Sequence, residues 1–344
     1  MSSDVKESLT EEEAVRAASR PFGTSAVARN SGLVVALALL CVVGFITGGD
    51  RFADMANVMT ILRLAASIGV VAIGMTFVIT GGGIDLSVGA VVALSSVWAT
   101  TVSTQVMAAD THWSLLIVVA LAVGAACGLL NGLLVSFGKI VPFIATLAMM
   151  ASARGLAEII ANRQTQRIKY VPEFLDNLRG DILGIPRQVW IFILVAVVGW
   201  VIFNRTTFGR RTVAVGGNPE AARLAGINVK RHTVWLYTLA GTTAGIGAVM
   251  LMTRTTTGSS THGVMWELDA IAAVVIGGTL LSGGRGTIVG TVFGIIIFAT
   301  LSNVFVLNSL SSSAQAVTKG LIIIIAVLLQ QYLAERGAKR QVNA

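Results

Sequence analysis

Charge is what this sequence has least of. Only 12% of its 344 residues are Asp, Glu, Lys or Arg, against about 25% in soluble domains. That shortage excludes an ordinary water-soluble domain. Cysteine is nearly missing too. Cys41 and Cys127 both lie in apolar runs, so they read as small buried hydrophobes, with no disulfide framework. His112, His232 and His262 are scattered, and their spacing suits no metal, so none is expected. Catalytic motifs are missing as well. The nearest fragment to a Walker A sequence, Gly138-Lys139-Ile140, lacks the upstream glycine and the following Ser or Thr that a phosphate loop needs. There is no HExxH, no nucleophile elbow and no cysteine–histidine pair. No catalytic residue and no cofactor are expected. If the chain transports uphill, an ion gradient or a partner must supply the energy.

What is present is apolar surface. Hydrophobic residues make up 54% of the chain, the mean hydropathy is +0.80, and apolar runs of about 20 residues recur. This predicts an all-α, polytopic helical membrane protein. The runs are continuous, not alternating, which argues against a β-barrel. The formal net charge of +8 would suggest nucleic acid in a soluble protein. Here the positive-inside rule accounts for it, and no aromatic-basic nucleic-acid motif is visible.

Ten spans are predicted, at about 32–49, 58–80, 84–107, 114–137, 140–161, 189–203, 233–253, 267–281, 288–307 and 314–333. A polar tail, 1–31, precedes a transmembrane domain, 32–333, and a second tail, 334–344, follows. Glu11, Glu12 and Glu13 make the first tail too acidic for a signal-peptide n-region. Arg20 and Arg29 at one end and Arg336, Lys339 and Arg340 at the other put both termini in the cytoplasm. The link 162–188 then falls outside, although Arg163, Arg167, Lys169, Arg179 and Arg187 outnumber its acids, which strains the rule. Trp113, Trp190, Trp200, Trp235 and Trp266 sit near span ends, as interfacial anchors should; Trp98 does not.

The loop 204–232 is the longest polar interruption in the second half, and six crossings return it to the cytoplasm. It carries Arg205, Arg210, Arg211, Arg223, Lys230 and Arg231 against Glu220. Its centre reads as a short helix. Asn218 is a good N-cap and Pro219 suits the first turn. Glu220 complements the helix dipole. Ala221, Ala222, Arg223, Leu224 and Ala225 favour helix, and Gly226 can close it left-handed. Two readings stand: the helix docks on a cytoplasmic partner, or it folds back under its own bundle.

Two junctions are glycine-rich, Gly81 to Gly89 and Ser282 to Gly290, and both fit GGxxxxVG. A match this short does not establish a repeat. The first junction holds Asp85, which either caps a new helix starting at Leu86 or serves as a functional membrane acid. Arg154 and Glu158, four apart on one helix, suggest a buried ion pair. Glu267 and Asp269 begin the eighth span, where they favour a helix N-terminus or line an outer mouth. Lys319 reads as snorkelling, and Arg63 needs an acid from elsewhere.

The segments GGGIDLSVGA at 81–90, TFGRRTVAVGGNPEAARLAGI at 207–227 and IGGTLLSGGRGTIVGT at 276–291 resemble the permease subunits of bacterial ABC importers for ribose, xylose, arabinose and related sugars. The resemblance covers about 32–333. It implies a non-catalytic, multi-pass subunit of the inner membrane that forms the translocation path for a monosaccharide. Implied partners are cytoplasmic ABC ATPase subunits, an external sugar-binding protein, a second permease copy and membrane lipid, with no nucleic acid. By motif, the ATPase-coupling role falls on Gly217, Asn218, Pro219, Glu220, Ala221, Ala222, Arg223, Leu224, Ala225 and Gly226. Asp85 falls on the family's acid after the glycine run. Three rivals remain: a lone ion-coupled secondary transporter, a membrane scaffold, and an ABC permease for branched-chain amino acids or nucleosides.

Overall fold

A computed structural model describes residues 23–322 together with 324, 325 and 328. The described chain is helical, apart from four two-residue strands. Helix α1 (Gly23–Gly48) leads through a short turn, α2 (Asp50–Ala53), into α3 (Met55–Thr80). Asp54 starts α3 by accepting from the Ala56 amide. The first glycine junction separates α3 from α4 (Val88–Ala99), which bends by 57° into α5 (Val102–Asp110). Helices α6 (Leu115–Ser136) and α7 (Pro142–Ile160) follow. The link then holds β1 (Gln166–Arg167), α8 (Pro172–Leu178), β2 (Asp181–Ile182) and β3 (Ile185–Pro186). Next come α9 (Arg187–Arg205), α10 (Thr207–Gly217), α11 (Pro219–Leu224), α12 (Val229–Thr255), β4 (Thr257–Gly258), α13 (Trp266–Ile276) and α14 (Ile288–Leu307). A last helical stretch begins at 312.

Two helices form the centre. The apolar window of α3 is 78% buried and that of α12 is 67% buried. Helices α1, α7 and α9 are peripheral, with at most 28% buried, so most of their apolar surface faces outward. In lipid, helix association depends on close packing and interhelical hydrogen bonds. Both are visible. Gly124, Gly128 and Gly132 line one edge of α6; the first two face Gly241 and Gly245 of α12, and Gly132 faces the α12 backbone at Val234. A Cβ on Gly124 would lie 2.9 Å from the Gly245 nitrogen, and one on Gly241 would lie 2.9 Å from the Gly128 Cα. Thr76 of α3 and Thr291 of α14 share a hydroxyl bond of 2.7 Å. Asn57 and Asn303 exchange amide bonds of 3.1 and 2.7 Å.

Among the described residues, two of the expected spans are not continuous helices. Seven described helices are long and apolar enough to cross, or eight with α4 and α5 taken as one broken span. The expected third span, 84–107, is that bent pair. Thr100 ends α4, and its hydroxyl returns to the Ser96 carbonyl. This break also places Trp98 at a helix end. The expected eighth span, 267–281, is helical only as far as Ile276, the end of the 11-residue α13. At 1.5 Å per residue these reach about 16 Å, roughly half a hydrocarbon core. The segment before α13 completes the crossing without helix. Gly258 lies against Ser96 and Thr100, whereas Gly263 lies against Gly89, nearly the whole length of α4 away. Hydropathy windows average over such breaks, which is why the pattern alone reads these two spans as continuous. The tenth expected span and both tails extend outside the described residues, except that α1 begins at Gly23, inside the stretch read as tail.

Cys127 is buried but Cys41 is exposed on α1, so one of the two is not a core residue. Strand β1 pairs antiparallel with β4. This places the link 162–188 beside the C-terminal end of α12, while α11 adjoins its N-terminal end. The basic link and the basic loop therefore occupy opposite ends of the bundle.

The seam between α6 and α12 generates the first prediction. Gly128→Val puts two methyl groups where the α12 backbone lies, an overpacking strain of about 1–3 kcal/mol. The thermal midpoint in detergent should fall, whereas Gly155→Val on α7, where nothing lies within 4 Å, should leave it almost unchanged. Equal midpoints for the two variants would disprove the seam.

Candidate functional site

The basic loop is built by local signals. Thr206 starts α10 by accepting from the Phe208 amide. Asn218 ends α10 and starts α11, and its Oδ1 accepts from the amides of Glu220 and Ala221 at 3.1 and 2.9 Å. Pro219 occupies the first turn. Gly226 stands at φ +83°, and the Ile227 amide closes the end on the Ala222 carbonyl at 3.0 Å. On the surface, Arg223 Nε donates to Glu220 at 3.1 Å, and this bond holds the Glu220 carboxyl below the ordinary carboxylate range.

The two readings of this helix separate by residue. Ala222 alone folds under the bundle and is buried; Leu224 is 75% exposed, and Ala221 and Ala225 are exposed beside it. Arg205, Arg210, Arg211, Arg223, Lys230 and Arg231 are all exposed around it. The helix thus presents an apolar tip within a basic rim.

Its base carries more than the sequence suggests. Gly216, two residues before the cap, lies where both glycine junctions meet. A Cβ there would overlap the Thr80 carbonyl that ends α3 and would lie 2.6 Å from the Gly284 nitrogen. The Gly284 amide itself donates to that Thr80 carbonyl at 2.8 Å. A Cβ on Gly283 would lie 2.9 Å from the Gly82 Cα. Gly82, Gly283 and Gly284 have φ values of +83°, +85° and +73°, which a side chain would strain. The two GGxxxxVG segments are therefore in contact with each other and with the basic loop. His232, unremarkable in the sequence, joins the same region. Its Nε2 meets the Thr212 hydroxyl at 2.9 Å, tying α10 to α12.

Asp85 lies one step further in and is 1% exposed. Its Oδ1 accepts from the Ser87 amide at 2.9 Å and the Ser87 hydroxyl at 2.6 Å. Asn131 of α6 donates to that hydroxyl at 2.9 Å, and Tyr237 of α12 donates to the Ile84 carbonyl at 3.2 Å. Asp85 thus shapes the turn that starts α4 at Val88, two residues later than the expected Leu86.

At the opposite end, the expected Arg154–Glu158 pair does not form. Arg154 Nη1 donates to the carbonyls of Ser260 and His262 instead. Glu158 takes Arg163 at 3.2 Å, because the turn ending α7 brings Arg163 back over it. Irregular backbone needs donors for its carbonyls, and a guanidinium supplies several. His262 is held in the same irregular stretch, with Nδ1 at 3.1 Å from the Ser96 hydroxyl of α4. Lys319 does not snorkel. Its Nζ lies 2.9 Å from both oxygens of Asp269, which is 6% exposed. Arg63 finds Asp181 at 3.5 Å. Among the described residues, no cluster of three or more metal-ligating side chains occurs.

Comparison with known proteins decides the family. Residues 57–328 match the model of the branched-chain amino acid transport system/permease component family. The chain belongs to this permease family. It is 43% identical over 281 residues to the ribose import permease protein RbsC of Bacillus subtilis (strain 168), covering 81% of this chain and 86% of the relative. It is 36% identical over 314 residues to RbsC of Escherichia coli (strain K12), covering 90% and 96%. Identity to the L-arabinose ABC transporter permease protein AraH of Azospirillum brasilense is 37% over 303 residues, covering 88% and 87%. No solved structure matches. With its apolar helices, this makes the permease a multi-pass transport protein of the inner membrane.

Proposed function

We propose that this permease is the membrane-spanning, non-catalytic subunit of an ABC importer for a monosaccharide of the pentose class. Two permease copies form the path between them, two cytoplasmic ATPase subunits bind their α11 helices, and an external sugar-binding protein delivers the substrate. The transmembrane domain spans 32–333, with the coupling loop 204–232 on the cytoplasmic side. The observation that carries this reading is the rigid, capped α11 with Leu224 exposed at its tip and Gly216 seated on both glycine junctions at its base. A displacement of α11 by an ATPase bears at once on the start of α4 and on the turn that connects α13 to α14. That is the kind of two-state packing contact through which a remote site changes which side a cavity faces. The substrate class is drawn from the relatives named for ribose and L-arabinose import.

A lone ion-coupled transporter has little support, because Asp85 is engaged by Ser87 and Glu158 by Arg163 at opposite ends of the bundle. The family description favours branched-chain amino acids, and uptake separates that reading. Membrane vesicles with the full importer should accumulate labelled ribose or a related pentose and not leucine. Leucine uptake in place of sugar overturns the substrate class.

Coupling has its own test. Leu224→Asp should insert normally yet fail to retain the ATPase in a pull-down from membranes. Gly216→Val should retain the ATPase but lose sugar transport by roughly tenfold or more, because its strain falls on the packing between loop and junctions. Full ATPase retention by Leu224→Asp, or full transport by Gly216→Val, contradicts the coupling role.

A further inference from the structure

The basic link 162–188 sits at the end of the bundle opposite α11, where the positive-inside rule disfavours it. Its arginines line a cavity of about 400 Å³. Four guanidinium groups, Arg63, Arg179, Arg187 and Arg254, face it against one carboxylate, Asp181. They come from three directions: the body of α3, the link with the start of α9, and the last turn of α12. Two of them are fixed in place. Arg179 Nε donates to the Thr253 carbonyl at 2.9 Å, and Arg187 Nη1 donates to the carbonyls of Asp176 and Asn177 at 3.0 and 2.6 Å. Carbonyl bonds hold a guanidinium without neutralising it. Arg63 alone meets the acid, at 3.5 Å and half exposed. Such an exposed pair contributes little to stability.

We infer that this cavity is a docking socket for acidic side chains of the external sugar-binding protein. The inference rests on the importer reading, which makes this end external. Like charges gathered in a concavity repel one another, and they steer and orient an anionic partner. Planar guanidinium forks pair bidentately with carboxylates, and pre-fixed forks lose less freedom on binding. The surroundings favour a protein over lipid headgroups. Two of the cavity's arginines stand on α3 and α12, the helices with the most buried windows of the bundle, not on the lipid-facing α1 or α7. The socket also adjoins the segment that completes the broken eighth span. Arg179 holds the carbonyl of Thr253, and β4 pairs with β1 just beyond. A partner seated there reaches Thr253 and Arg254, the residues that lead into that segment.

The test uses the whole importer, permease with its ATPase and sugar-loaded binding protein, in nanodiscs. Arg254→Glu is the first variant and Arg254→Gln the second, in case the charge reversal fails to insert. The binding protein's affinity is measured at low and high salt, in discs of zwitterionic lipid and in discs containing phosphatidylglycerol. Arg254→Glu should weaken binding by about tenfold or more, chiefly through a slower on-rate, and flatten its salt dependence. Arg254→Gln should lie between. Unchanged affinity and salt dependence in an inserted variant overturn the socket alone. An effect confined to discs with phosphatidylglycerol overturns it in favour of a lipid headgroup. A wild type that binds neither ATPase nor binding protein overturns the importer reading and the socket with it.

Discussion

How closely two helix backbones can approach governs this bundle. In hydrocarbon, an exposed leucine is as well solvated as a buried one, so area removed from water does not drive helices together. Contact between backbones, and hydrogen bonds made where water is absent, must do it. The seam of Gly124, Gly128 and Gly132 against Gly241, Gly245 and the backbone at Val234 is such a contact. It seats α12 in the middle of the bundle, and α3 packs against it where Gly74 meets Thr243. Asp85, Asn131 and Tyr237 then lie together because α6 and α12 are already held side by side.

The broken spans depend on the same constraint. Irregular backbone at membrane depth survives only where protein supplies its hydrogen bonds. Around 256–265 that supply is specific. Arg154 covers two carbonyls, Ser96 and Thr255 meet His262, and Gly89 leaves room for Gly263. At the other end, the two glycine junctions lend each other the space and the bond that neither has alone, through Gly284 and Thr80. The short α13 is held between these two irregular regions, and Lys319 fixes its first turn through Asp269. A half-length helix anchored at both ends can shift as one piece, whereas a full span would have to tilt.

What could be read from sequence follows the range of the signal. Asn218, Pro219 and Gly226 act within a few residues of themselves, so α11 was visible residue by residue. Membrane character is a sum over long windows, and it survived the breaks that the same windows concealed. Partners distant in the chain were another matter. Arg154 and Glu158 share a helix face, which made them look like a pair, but Arg154 turns to a segment about a hundred residues later. Lys319 and Asp269 are fifty positions apart, and nothing local connects them. The GGxxxxVG match was present but too short to carry weight; its meaning lies in the contact between the two copies. Gly216 had no signal at all, because close approach appears only when three segments meet.

The basic loop shows why that meeting matters. A six-residue helix is far below the length at which helices persist by themselves. It keeps its form through the Asn218 cap, the Gly226 turn and the seat of Ala222 on the bundle. Each of these ties it to the chain behind it and leaves Leu224 and the basic rim free. A force applied at Leu224 cannot be absorbed by bending at Gly216, since the carbonyl of Thr80 and the amide of Gly284 already fill the space there. Under the proposed coupling role, a displacement of α11 moves the junctions, and with them α4 and α14, which start from them. Small size at Gly216 and rigidity at α11 are thus two parts of one device. A larger residue would separate the loop from the junctions, and a looser helix would fold against the bundle before any load arrived.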